Sequence, residues 1–99
     1  MSNDDILLAL KKVIDPELGI NVVDLGLVYR AAHVPDGIEV ALAMTSPACP
    51  LGEMMVEEAK LALQDCFPEA RSIHVELVRE PPWSAERMSE DGRRQLGLT

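Results

Sequence analysis

The stretch IEVALAMTSPACPLGEMMVEEAKLALQDC, residues 38–66, decides the fold, because one hydrophobic period gives way to another inside it. From Ile38 to Met44 the larger apolar residues alternate, Ile38, Val40, Leu42 and Met44, with Glu39, Ala41 and Ala43 between them. A period of two is that of a strand with one face on a core. From Leu51 to Cys66 the spacing becomes helical. Leu51, Met55, Ala59, Ala62 and Cys66 form one stripe, widened by Met54, Leu61 and Leu63. The loop Thr45-Ser46-Pro47-Ala48-Cys49-Pro50 joins the two. Pro50 suits a first helical position, where its missing N–H costs nothing. Phe67-Pro68 ends the helix.

Working outward, residues 27–34 form a second β-prone segment, separated from the first by Pro35-Asp36-Gly37. Asp-Gly between two such runs signals a hairpin. On the other side, residues 72–78 read as a third strand with Ile73, Val75 and Leu77 inward, closed by Pro81-Pro82. Residues 4–14 carry Ile6, Leu7, Leu10, Val13 and Ile14 at helical spacing, and Pro16 stops that helix by disfavouring helical geometry at Asp15. Residues 15–26 mix turn formers with apolar residues and keep neither period, as in a shaped, partly buried loop. Residues 84–98 suggest a short polar helix capped by Ser84. The order is α-β-β-α-β-α. It predicts the α/β (α+β) class: a two-layer sandwich with helices on one face of a small mixed sheet. Residues 1–99 are read as one domain, since a chain of 99 residues leaves little room for a second.

Nine basic against seventeen acidic side chains give a net charge of −8. Nucleic acid and anionic membranes need positive charge, so both are excluded as partners. No apolar run reaches the ~20 residues that span a bilayer. The N-terminus, Met1-Ser2-Asn3-Asp4-Asp5, lacks the positive region of a secretion signal, and the chain reads as cytoplasmic. In that compartment two cysteines are expected as free thiols.

Cys49 lies between a buried strand and the start of the long helix, where unpaired N–H groups and the helix dipole favour an anion. A thiol so placed is available as nucleophile or metal ligand. Pro47 and Pro50 stiffen its backbone, and Thr45 and Ser46 offer hydroxyls. The competing reading makes Cys49 a small apolar residue filling the helix start. Cys66, on the apolar stripe, is expected in the core. At ~1.5 Å per residue the two thiols lie ~25 Å apart along the helix, too far for a disulfide or a shared metal. One chain therefore cannot supply four cysteine ligands to a cluster. Asp15, Glu17, Asp24, His33 and His74 are the residues left to complete a site, and both histidines are expected at the surface. Trp83 is read as an anchor for the C-terminal segment.

Three segments together strongly resemble one family: Asp15-Pro16-Glu17-Leu18-Gly19, then residues 21–29 (NVVDLGLVY), then residues 44–51 (MTSPACPL). This is the SufT/PaaD-like family of metal–sulfur cluster assembly proteins. The ending Pro81-Pro82-Trp83-Ser84, with Arg87-Met88-Ser89, looks like its short bacterial branch. The resemblance implies a small, often self-associating α/β domain acting in iron–sulfur cluster maturation. It implies Cys49 as the contact to iron or a labile cluster, with Thr45 as the hydroxyl before the cysteine and Asp15 and Glu17 as the acidic loop. It further implies iron–sulfur carrier or scaffold proteins and client apo-proteins as partners, and a homodimer. Two departures stand out. Ala48 occupies a position where many members have Gly, and no cysteine-rich extension follows, so the likeness is to the general SufT-type factor. Two other functions compete with delivery through Cys49. One is a metal-free adaptor for clients and carriers. The other is a thiol enzyme, which would need a base near Cys49.

Overall fold

A computed structural model describes residues 3–15, 18–44, 52–95 and 97. The elements are α1 (Asn3–Leu10), β1 (Val28–Val34), β2 (Gly37–Leu42), α2 (Gly52–Cys66), β3 (Ser72–Leu77), a 3-10 turn at Ala85–Arg87 and α3 (Glu90–Gln95). The three strands form one mixed sheet in the order β1-β2-β3. β1 and β2 are antiparallel, with Val34 opposite Gly37 and Ala31 opposite Val40. β3 runs parallel to β2, with Val40 opposite Val75. The predicted α-β-β-α-β-α order and the α+β class are as read from the sequence.

Alternation along β2 explains the layering. Ile38, Val40 and Leu42 are fully buried with Met55, Ala59 and Leu63 of α2 and with Ile6, Ala9 and Leu10 of α1, in one hydrophobic cluster. Phe67 closes that cluster just beyond the end of α2. At the hairpin, Pro35 and Asp36 make the turn and Gly37 already belongs to β2. A Cβ on Gly37 would fall 1.8 Å from the Ser72 carbonyl oxygen, so glycine is required for β3 to pair alongside.

Several expectations need correction. α1 stops at Leu10, not at residue 14. The chain tightens there, with Lys12 N–H donating to Ala9 O and Val13 N–H to Leu10 O. Ile14 then bridges Asn21 in an antiparallel contact, which leaves Val13 buried and turns Ile14 outward, 45% exposed. Tertiary pairing has overridden helical spacing in two β-branched residues. Cys66 is exposed, not in the core. It is the last residue of α2, and Phe67 turns inward in its place while Lys12 Nζ sits 3.4 Å from its sulfur. Met54 and Leu61 are also exposed, because the buried stripe is centred on Met55, Ala59 and Leu63 and both lie over a quarter-turn away.

The C-terminal segment is not one helix. It is a 3-10 turn followed by α3, with Met88 buried between them. Ser89, not Ser84, caps α3: its Oγ accepts a 3.0 Å bond from Gly92 N–H. Among the described residues no helix is long and apolar enough to cross a membrane.

Candidate metal-contact site

The carboxyl end of β2 and the first turn of α2 meet. Beyond β2, Ala43 N–H donates to Leu27 O at 2.7 Å, which extends the pairing past the strand, and Met44 follows, half-buried. A Cβ on Gly52 would fall 2.5 Å from Met44 Sδ and 2.9 Å from Leu77 Cδ1. Glycine at the start of α2 thus lets the helix begin in contact with the residue that leaves the strand. Thr45 and Cys49 lie outside the described residues, in the loop whose two ends, Met44 and Gly52, touch here. In an open α/β sheet the carboxyl ends of parallel strands are where ligand sites form, and β2 and β3 both end at this side.

A line of backbone bonds leads from that footing to Asp15. Ala43 is bonded to Leu27, Leu27 N–H donates to Val22 O at 3.0 Å, and Val22 N–H donates to Val13 O at 3.0 Å. Two residues on, Asp15 donates its N–H to Ile20 O and accepts from Gly19 N–H at 2.8 Å. Its side chain is 3% exposed, the one buried charged residue among those described. Oδ1 of Asp15 accepts a 3.3 Å bond from Leu18 N–H. Glu17, its expected companion, lies outside the described residues.

The other proposed ligands are placed elsewhere or engaged. Asp24 is part of a structural hub. Its Oδ2 accepts from Asn21 Nδ2 at 2.7 Å, its Oδ1 accepts from Ser89 Oγ at 2.9 Å, and its N–H donates to Asn21 Oδ1 at 2.9 Å. His33 is half-buried rather than at the surface, its ring edge-on to Phe67 with centroids 5.7 Å apart. His74 is exposed on β3, 3.8 Å from a Glu76 carboxylate oxygen. Among the described residues no three of His, Cys, Asp and Glu converge as a metal cage.

Trp83 is the anchor expected of it. Its indole N–H donates to Leu25 O at 2.6 Å, and its ring walls a small apolar pocket with Met44, Leu77, Val78 and Pro82. Asn21 and Ser89 hold the Asp24 hub together and are not among the residues expected from the sequence. The sequence signals are Asn21 three residues before Asp24, the reciprocal spacing of a capping box, and Ser89 before Glu90-Asp91, which marks a helix start.

Residues 3–77 match the family described as iron–sulfur cluster assembly protein. The chain is 41% identical over 96 residues to the Fe-S protein maturation auxiliary factor YitW of Bacillus subtilis, covering 96% of this chain and 93% of the relative. It is 39% identical over 88 residues to the Fe-S protein maturation auxiliary factor SufT of Staphylococcus aureus, covering 88% and 99%. A crystal structure of a domain of unknown function, DUF59, from Bacillus anthracis superposes with a TM-score of 0.91 at 38% identity, covering 98% of this chain and 92% of that one. Sequence and fold agree, and the chain belongs to the iron–sulfur cluster assembly protein family.

Proposed function

We propose that this chain, a factor in the maturation of iron–sulfur proteins, works by contacting iron or a labile iron–sulfur cluster through Cys49 and passing it to client apo-proteins. Asp15 and Glu17 are the carboxylates that complete the contact, and Thr45 supplies a hydroxyl beside the sulfur. Residues 1–99 act as one domain in the cytoplasm, receiving cargo from carrier or scaffold proteins. Two copies form a homodimer, so that two thiols share one cluster. The observation that carries this reading is Asp15. A charged residue is rarely buried without a role, and this one sits on the backbone-bonded arm that reaches the footing of the Cys49 loop. The cluster is cargo, not a resident group, which suits a site with a single thiol per chain.

The test is anaerobic reconstitution with iron and sulfide of the wild-type chain and of Cys49→Ser, reading iron content, absorbance and mass in solution. Iron held by the wild type and lost in the variant, with one cluster per dimer, is the expected result. Equal iron in both proteins overturns contact through Cys49, and none in either overturns it too and leaves a metal-free adaptor as the better account.

A further inference from the structure

Residues 79–95 run across both arms of the site. On one side Pro81, Pro82 and Trp83 share a pocket wall with Met44, the residue from which the cysteine loop departs. On the other, Trp83 bonds Leu25 O, Ser89 N–H donates to Asp24 O at 2.8 Å, and Ser89 Oγ donates to the Asp24 carboxylate at 2.9 Å. Both Leu25 and Asp24 lie in the turn that returns the acidic loop to β1.

This docking is backbone on backbone. A Cβ on Gly26 would fall 2.1 Å from Arg87 O, and one on Gly92 would fall 2.6 Å from Asp24 O. Two glycines in separate segments permit reciprocal close approach, and the bonds made across it end largely on main-chain oxygens. A tail that only covered apolar surface would need no such registration. Tyr29 adds a third attachment, donating its hydroxyl to Pro81 O at 2.8 Å, with the Arg87 guanidinium 4.5 Å above its ring.

We propose that residues 79–95 are a positioning strap, with Trp83 and Ser89 holding the acidic loop at a fixed spacing from the footing of the cysteine loop. The relevance of that spacing to iron rests on the function proposed above, whereas the positioning itself does not. The strap acts through others: it touches Leu25, Asp24 and Met44, and these lead by backbone bonds to Asp15 and by chain to Cys49.

Hydrogen exchange on the full chain separates the two ideas. Trp83→Phe keeps an aromatic ring and removes the indole donor, Ser89→Ala removes the hydroxyl, and Ser89→Thr restores it. In the first two variants, exchange across residues 15–27 should accelerate by about tenfold, the effect of losing one buried hydrogen bond. Amides of β2 and α2 should stay protected, and Ser89→Thr should resemble the wild type. Acceleration confined to residues 79–95 overturns the proposal. Iron(II) binding, measured on the same proteins without oxygen, should weaken by about tenfold in Trp83→Phe at unchanged helix content. If the exchange pattern appears but the wild type takes up no iron, the strap stands and the iron-contact reading falls.

Discussion

Gly19 and Gly26 have nearly the same left-handed backbone, φ +70° and +75°, but different surroundings, so alanine at each isolates the docking of the strap. A Cβ on Gly19 meets nothing within 4 Å, while one on Gly26 falls 2.1 Å from Arg87 O and 2.5 Å from Arg87 C. Either substitution forces an L residue into left-handed geometry at roughly 1–2 kcal/mol. At Gly19 that is the whole cost. At Gly26 the obstacle is a main-chain carbonyl in the 3-10 turn, which no rotamer change can move, so the strap must lift. Lifting breaks the Trp83 bond to Leu25 and the two Ser89 bonds to Asp24, each worth about 1 kcal/mol, and exposes Met88, worth roughly 2 kcal/mol. Chain entropy regained by the freed segment offsets much of this. A difference of about 2–3 kcal/mol between the two variants is expected. Urea unfolding measures it with two probes, far-UV ellipticity and the fluorescence of Trp83, the single tryptophan. Both probes should coincide in the wild type and in Gly19→Ala. In Gly26→Ala the Trp83 fluorescence should already be shifted before urea is added, while the ellipticity still reports folded helices. Equal losses in the two variants, with Trp83 tracking the helices, would refute the reasoning.

Two further outcomes follow from burial. Leu63→Ala should cost about 3 kcal/mol in thermal unfolding, because the side chain is fully buried, whereas Leu61→Ala, at a position 62% exposed, should stay within about 0.5 kcal/mol; similar losses would mean that α2 is rotated from the orientation described. Cys66→Ser should likewise change stability by less than about 0.5 kcal/mol, and the native Cys66 thiol should react with a small disulfide reagent without unfolding, so a reaction limited by unfolding would contradict its exposure.

What the sequence made legible was whatever a single period determines. Alternation placed Ile38, Val40 and Leu42 on the core face, and helical spacing placed Met55, Ala59 and Leu63 there too. Illegible were the places where a distant segment supplies the decisive contact. Val13 and Ile14 continue a helical pattern, yet they pair with residues 21–22 and extend. Cys66 shares an angular face with Met55 but lies where the helix has outrun its cover. The split of the C-terminal segment depends on Asp24, sixty-odd positions upstream, which accepts the bonds that fix Ser89 as a cap. Asp24 looks like a possible ligand for the same reason: a carboxylate in a turn-rich loop shows its charge in the sequence but not its partners.

The two arms of the site are held in different ways, and this matters for a protein that must release what it takes. The cysteine loop departs from and returns to the strand and helix of the core, between Leu42, fully buried, and Met55, 2% exposed. The acidic loop anchors its far half in the core through Ile20, Val22, Leu25 and Leu27, whereas its turn at Asp24 and Leu25 is also held by the strap, whose own cover is one half-buried indole and one methionine. Segments with few buried apolar contacts open at lower free energy than the core. Opening should therefore begin in the strap and reach residues 15–27 while β2 and α2 remain folded. Under the proposed function, such an opening loosens the carboxylate arm and leaves the thiol in place. Iron would then be weakened on one side before it is lost from the other, which is the order that transfer to a client requires, since the client's ligands can replace the carboxylates before the sulfur lets go.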